Sequence, residues 1–224
     1  MAQQMHEARK AFDEELASLQ TDLKNMGDVV EDMLGKAMDA LSERNIELAH
    51  QVEDMDDIVD RYNLDIETKS LNLLALQQPM ARDLRTIAAA MKIITDVERC
   101  GDYAVDIAMV AVQLSDRLLF TPLEDIPKMV RTVQEMLRET LSAFVSRDLK
   151  LVQHIIDLDD EVDSIYQRVY QELIDHIRKN PGDVDQAVGL ILIARYLERI
   201  ADHITNIGER IYYMETGELK ELHV

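Results

Sequence analysis

In the stretch DVERCGDYAVD, residues 96–106, Glu98, Asp102 and Asp106 follow one another at four-residue spacing. YLERIADHITN, residues 196–206, repeats the arrangement with Glu198, Asp202 and Asn206. Two further pairs, Asp56/Asp60 and Asp159/Asp163, keep the same interval. On a helix that turns roughly 100° per residue, each set becomes a row on one face. Such a row can be plain solvated charge, it can pair with arginines, or it can chelate a cation. Paired acids can also serve as general acid and base, but that work needs an enclosing pocket. The rows lie away from the apolar stripes of their helices, which places them on outer faces.

The elements that position these rows follow from the punctuation. Proline breaks helices, and Pro79, Pro122, Pro127 and Pro181 interrupt no periodic stretch. Between them six helices are expected, roughly over 5–42, 46–77, 80–117, 126–145, 148–179 and 184–214. SERN (42–45) and SRDL (146–149) mark the first turn of each half, and QQPM and NPGD the second. LFTPLEDIP (119–127) joins the halves. Residues 44–60 align with 147–163, and DVERCGD (96–102) with YLERIAD (196–202), so the chain is internally duplicated. In the last helix Leu190, Ile193, Leu197, Ile200, Ile204, Ile207 and Ile211 recur at intervals of three and four, the seam of a bundle. The expected fold is all-α, two tandem, sequence-related three-helix bundles: 1–118, a linker over 119–125, and 126–224.

Register gives the rows a meaning that spacing alone does not. In an antiparallel hairpin, residues equally distant from the turn stand level. Asp56 with Asp102, and Asp60 with Glu98, are both centred on Pro79; Asp159 with Asp202, and Asp163 with Glu198, are both centred between Asn180 and Pro181. The two rows of each half therefore meet across neighbouring helices, about 30 Å from the turn. Four adjacent carboxylates repel one another, and a multivalent cation relieves the repulsion. A solvated surface has no reason to match levels in both halves. Oxygen-only donors suit hard ions such as Fe(III), Mn, Mg or Ca. The competing account is ion pairing, for which Arg99, Arg195 and Arg199 are close enough along their helices. His203 points about 100° away from Asp202 and reads as ordinary surface. ELAH (47–50) is a single Glu-x-x-His match, whereas a ferritin-like di-iron centre needs two.

Composition narrows the partners. Of 224 residues, 47% are apolar, enough for a large folded core, and the net charge of −20 opposes binding to nucleic acid or to an anionic lipid surface. No apolar run is long enough to span a bilayer, and the N-terminus lacks a signal-peptide core. Cys100 is the only cysteine, which fits a reducing cytoplasm, and it falls on an apolar stripe as an inert thiol. Walker A, G-x-G-x-x-G, G-x-S-x-G and H-E-x-x-H signatures are all missing, so the chain reads as no enzyme.

QQPMARDLRTI (77–87), DVERCGDYAVDIA (96–108) and ARYLERIADHITNIGE (194–209), with the two-fold repeat, make the sequence resemble the PhoU family, accessory regulators of bacterial phosphate-specific transport. The resemblance covers nearly the whole chain. It implies metal clusters, iron or zinc among them, held by Asp56, Asp60, Glu98 and Asp102, extended by Asp106, and by Asp159, Asp163, Glu198 and Asp202. Asn206 answers Asp106, so the second site is expected to carry a less charged cluster. The resemblance also implies negative regulation of the Pho regulon. The protein would bridge the phosphate importer's ATPase subunit and a sensor histidine kinase, lie in the cytoplasm at the inner membrane through those partners, and form a homodimer. A metal-buffering protein is the alternative, and a metal-dependent hydrolase a third.

Overall fold

The computed structural model describes residues 2–77, 79–116, 118–120 and 124–222. Six α-helices occupy them: α1 (Ala2–Glu43), α2 (Ile46–Gln77), α3 (Ala81–Leu114), α4 (Asp125–Ser146), α5 (Leu149–Lys179) and α6 (Val184–Thr216). The expected boundaries agree within three residues, and a single 3-10 turn, Pro181–Asp183, fills the NPGD connection.

The duplicated turns are built alike. Arg44 and Arg147 take left-handed backbone conformations, φ 55° and 62°, which end α1 and α4 and reverse the chain. Asn45 then caps α2, its Oδ1 accepting from the amides of Glu47 and Leu48 at 3.1 and 3.2 Å. Asp148 caps α5 in the same way, accepting from the Lys150 amide at 2.9 Å. Gly217, at φ 79°, closes α6 with its amide donating to Tyr213 O.

α1, α2 and α3 pack as one bundle and α4, α5 and α6 as the other. The halves lie side by side rather than end to end, because α3 and α6 share the most extensive contact in the molecule. Their seams merge into one core in which Ile93, Val97, Ile193, Leu197, Ile200 and Ile204 are sealed from solvent. Cys100 is buried there as expected, its Sγ 3.9 Å from Ile200 O, and burial pushes its thiol pKa well up, keeping it protonated and inert. At one end, the Arg147 guanidinium donates to Glu215 (2.6 Å) and to Thr86 Oγ1 (2.9 Å), and Arg85 donates to Met214 O. Arg147 thus ties the α4–α5 turn to both α3 and α6, and Arg85 links α3 to α6 directly. The linker is held too: Phe120 stacks on His176 at 3.8 Å, and Gln186 bonds the backbone of Leu118 and Phe120.

Candidate metal centres

Because α2 and α3 run antiparallel from a turn at Pro79, the level-matching holds. Asp56 leans over α3 at Gly101: a Cβ added there would lie 3.6 Å from Asp56 Oδ1 and 3.5 Å from Val59 Cγ1. Asp56 Oδ1 is shut off from solvent with no hydrogen-bond partner. Burial first, and then the charges of Asp102, Asp60 and Glu98, push its pKa up to about 6. Glu98 is raised by burial, by Asp102 and by Asp60, against the opposing pull of Arg99. Asp106 is exposed at the end of the row, raised by burial and by Asp102. All five first-half residues thus belong to one electrostatic group.

The second half repeats this between α5 and α6. Glu198 is raised by burial and by Asp202 and Asp163, while Arg195 and Arg199 lower it. Its Oε2 is buried without a hydrogen-bond partner. Asp159 is only 3% exposed, and Asp163 is exposed one turn further on. Asn206 stands partly buried one turn beyond Asp202.

Two expectations need correction. The rows are not simply outer faces: Asp159 is buried, and Asp56, Glu98, Asp102, Glu198 and Asp202 are half-covered. A position opposite its own seam can still be flanked by the adjacent helix of the hairpin, and helical periodicity within one helix carries no sign of that neighbour. His203 is not ordinary surface either. It is 16% exposed and shares a 2.9 Å hydrogen bond with Asp96 across the α3–α6 contact. Tyr103 stacks on Tyr196 beside it. The hundred-residue repeat held that signal, since Asp96 and Tyr103 are the counterparts of Tyr196 and His203.

Ion pairing, the competing account, is also present. Arg99 donates to Asp102 at 2.6 Å, Arg199 to Asp202 at 2.7 Å, and Arg195 pairs with Glu198. These arginines neutralise part of each row and leave Asp56 Oδ1 and Glu198 Oε2 unpaired. A buried acceptor without a donor is unfavourable by about 1–3 kcal/mol, so an unpaired oxygen inside a carboxylate group is what a cation would complete. The donor type suits a metal ion, since all are oxygens from two helices. Among the described residues, however, no three ladder carboxylates bring oxygens within 4.8 Å of one another, so an ion would have to draw them together. Arg99 and Arg195 are exposed and free to swing aside, whereas Arg199 is partly buried beside Tyr103. Asp56, Asp60, Glu98 and Asp102, and likewise Asp159, Asp163, Glu198 and Asp202, would hold it. A bound ion would supply charge neutralisation and cross-link the two helices of each hairpin.

A tandem pair of three-helix bundles, each with a carboxylate ladder across its second hairpin, defines a class of two-repeat all-α proteins. The PhoU domain matches twice, over residues 23–111 and 126–211, so the two matches coincide with the two bundles. The chain belongs to the PhoU family. It is 36% identical over 216 residues, 96% of this chain and 99% of the relative, to the phosphate-specific transport system accessory protein PhoU homolog of Clostridium acetobutylicum. The homolog of Aquifex aeolicus is 35% identical over 94% of this chain and 96% of its own. The crystal structure of PhoU from Pseudomonas aeruginosa superposes with a TM-score of 0.87 at 32% identity, covering 92% of this chain and all of that one. The crystal structure of the phosphate transport system regulatory protein PhoU from Streptococcus pneumoniae matches equally well, over 94% of this chain. These relatives are named as accessory or regulatory proteins of phosphate transport.

Proposed function

We propose that this chain is a regulatory accessory protein of phosphate-specific transport and an adaptor that keeps phosphate-starvation signalling low when phosphate is plentiful. Carrying this reading is the full-length match of both repeats to proteins named for that system. Its partners are the importer's ATPase subunit and a sensor histidine kinase, bound through long helical faces. It works in the cytoplasm as a homodimer and meets the membrane through those partners. Among the described residues no helix is long and apolar enough to cross a bilayer. The ladders hold iron or zinc, which locks the hairpins that present those faces.

A pull-down from phosphate-replete cells tests it. Recovery of the ATPase subunit or the kinase is expected, with constitutive starvation signalling in a deletion strain; normal signalling in that strain, with neither partner captured, would refute it. The unpaired buried oxygens favour a second reading, metal buffering. Variants that lose metal yet regulate phosphate normally would establish buffering instead.

A further inference from the structure

We propose that Glu135, Glu139 and His154 form a third metal site, on the α4–α5 hairpin, for a transition-metal dication such as zinc. Glu135 and Glu139 are one turn apart on α4, and His154 faces them from α5. Glu139 and His154 stand level because they are equally far from the Ser146–Arg147 turn. One donor atom from each of the three lies within 4.8 Å of the others.

The arrangement is unfinished as it stands. Glu139 Oε2 is cut off from solvent and accepts no hydrogen bond. Its neighbour His154 Nε2 lies 3.9 Å away, beyond hydrogen-bonding reach. That gap matches two ligands on one ion, since bonds of roughly 2.0–2.2 Å at an open angle separate the donors by about 3.5–4 Å. Glu135 and Glu139 also repel each other at this spacing. Arg138, the arginine between them in sequence, reaches away to Glu31 on α1, at 2.6 Å.

Comparison with the first bundle shows that the fold does not require this cluster. Met26, Val30, Met33 and Leu34 of α1 and Met129, Val133, Met136 and Leu137 of α4 are buried in the same order. The offset of 103 residues makes Asp32, Lys36 and Gln51 the counterparts of Glu135, Glu139 and His154. In the first bundle Lys36 neutralises Asp32 at 3.0 Å, and Gln51 brings no ring nitrogen. The second bundle exchanges the internal cation for a carboxylate and the amide for an imidazole. Both exchanges add a metal donor at one spot.

The site differs from the ladders in place and in chemistry. Five residues separate His154 from Asp159, about 140° around α5, so the two lie on different faces. An imidazole with two carboxylates favours zinc, nickel, copper or iron(II) over magnesium or calcium. Three protein ligands leave a fourth position for water.

The test uses the chelator-stripped full chain titrated with zinc chloride. Binding is measured by competition with a chromophoric chelator, and the histidine ring resonances are followed by NMR. For wild type, the His154 ring resonances should move with the first equivalents of zinc and stay still with magnesium. H154Q and E139K, which copy side chains already carried by the first bundle, should each bind one zinc fewer or bind it at least tenfold more weakly. D102A and D202A should keep the His154 response. Unmoved His154 resonances in the wild type would overturn the proposal whatever the variants do, as would wild-type zinc stoichiometry and affinity in H154Q and E139K.

Discussion

The two ladders descend from one pattern and differ in how much of their charge is compensated. In the first, the carboxylates of Asp56, Asp60, Glu98, Asp102 and Asp106 face one arginine, Arg99. In the second, those of Asp159, Asp163, Glu198 and Asp202 face two, Arg195 and Arg199, each paired in the structure. Thr95 stands where the second half has Arg195, and Asn206 where the first has Asp106. The helix beneath differs as well: Gly101 leaves room for Asp56 to lean in, and its counterpart is Ala201. The stronger unrelieved repulsion thus sits in the first bundle, where Asp56 is raised to about 6. A cation relieves repulsion in proportion to what is there, so the first ladder should be the tighter site.

The largest effect expected from this asymmetry is on metal affinity. Asp102→Ala should weaken binding in the first bundle about a hundredfold, close to 2.8 kcal/mol. Asp202→Ala, in the ladder where Arg195 adds a second ion pair and Asn206 replaces an acid, should weaken the second about tenfold, near 1.4 kcal/mol. Elemental analysis and calorimetry of the two variants check the order; equal losses would erase the comparison. The converse experiment converts one ladder into the other. Arg195→Thr with Asn206→Asp gives the second bundle the charges of the first, and its affinity should rise roughly tenfold in the same titration.

A smaller effect lies in stability and follows the protonation of Asp56. An acid whose pKa is higher in the folded than in the unfolded chain favours folding at low pH. That contribution declines as pH climbs from 3.8 to about 6 and is absent above. Metal-free protein should therefore gain from Asp56→Asn at pH 7 and much less at pH 4.5. Asp56 is only partly buried, and solvent reaching the rest of its carboxylate damps the effect, so the gain should be only roughly 1 kcal/mol, or about 2–4 °C in Tm. Thermal melts at the two pH values in the presence of a chelator decide it.

Much of this was legible from the sequence, and the limits have physical causes. The helices follow from apolar spacing and proline, which act locally. The meeting of the ladders follows from counting back to Pro79 and Pro181, because an antiparallel hairpin allows one register. Burial of Asp159 and the Asp96–His203 bond depend on which helix lies beside which, and a single helix's periodicity does not encode that. The side-by-side packing of α3 and α6 was hidden for a similar reason: a seam of Ile and Leu packs equally well against its own bundle and a second one.

Anomalous diffraction from crystals soaked in iron or zinc, recorded at the metal's absorption edge, tests most directly whether the ladders are cation sites. Peaks are expected between α2 and α3 within about 2.0–2.2 Å of oxygens of Asp56, Glu98 and Asp102, with a weaker set at Glu198 and Asp202 and with Arg99 turned away from Asp102. Crystals that take up the metal elsewhere, or not at all, with the Arg99–Asp102 pair intact and no density between the hairpin carboxylates, would contradict the account.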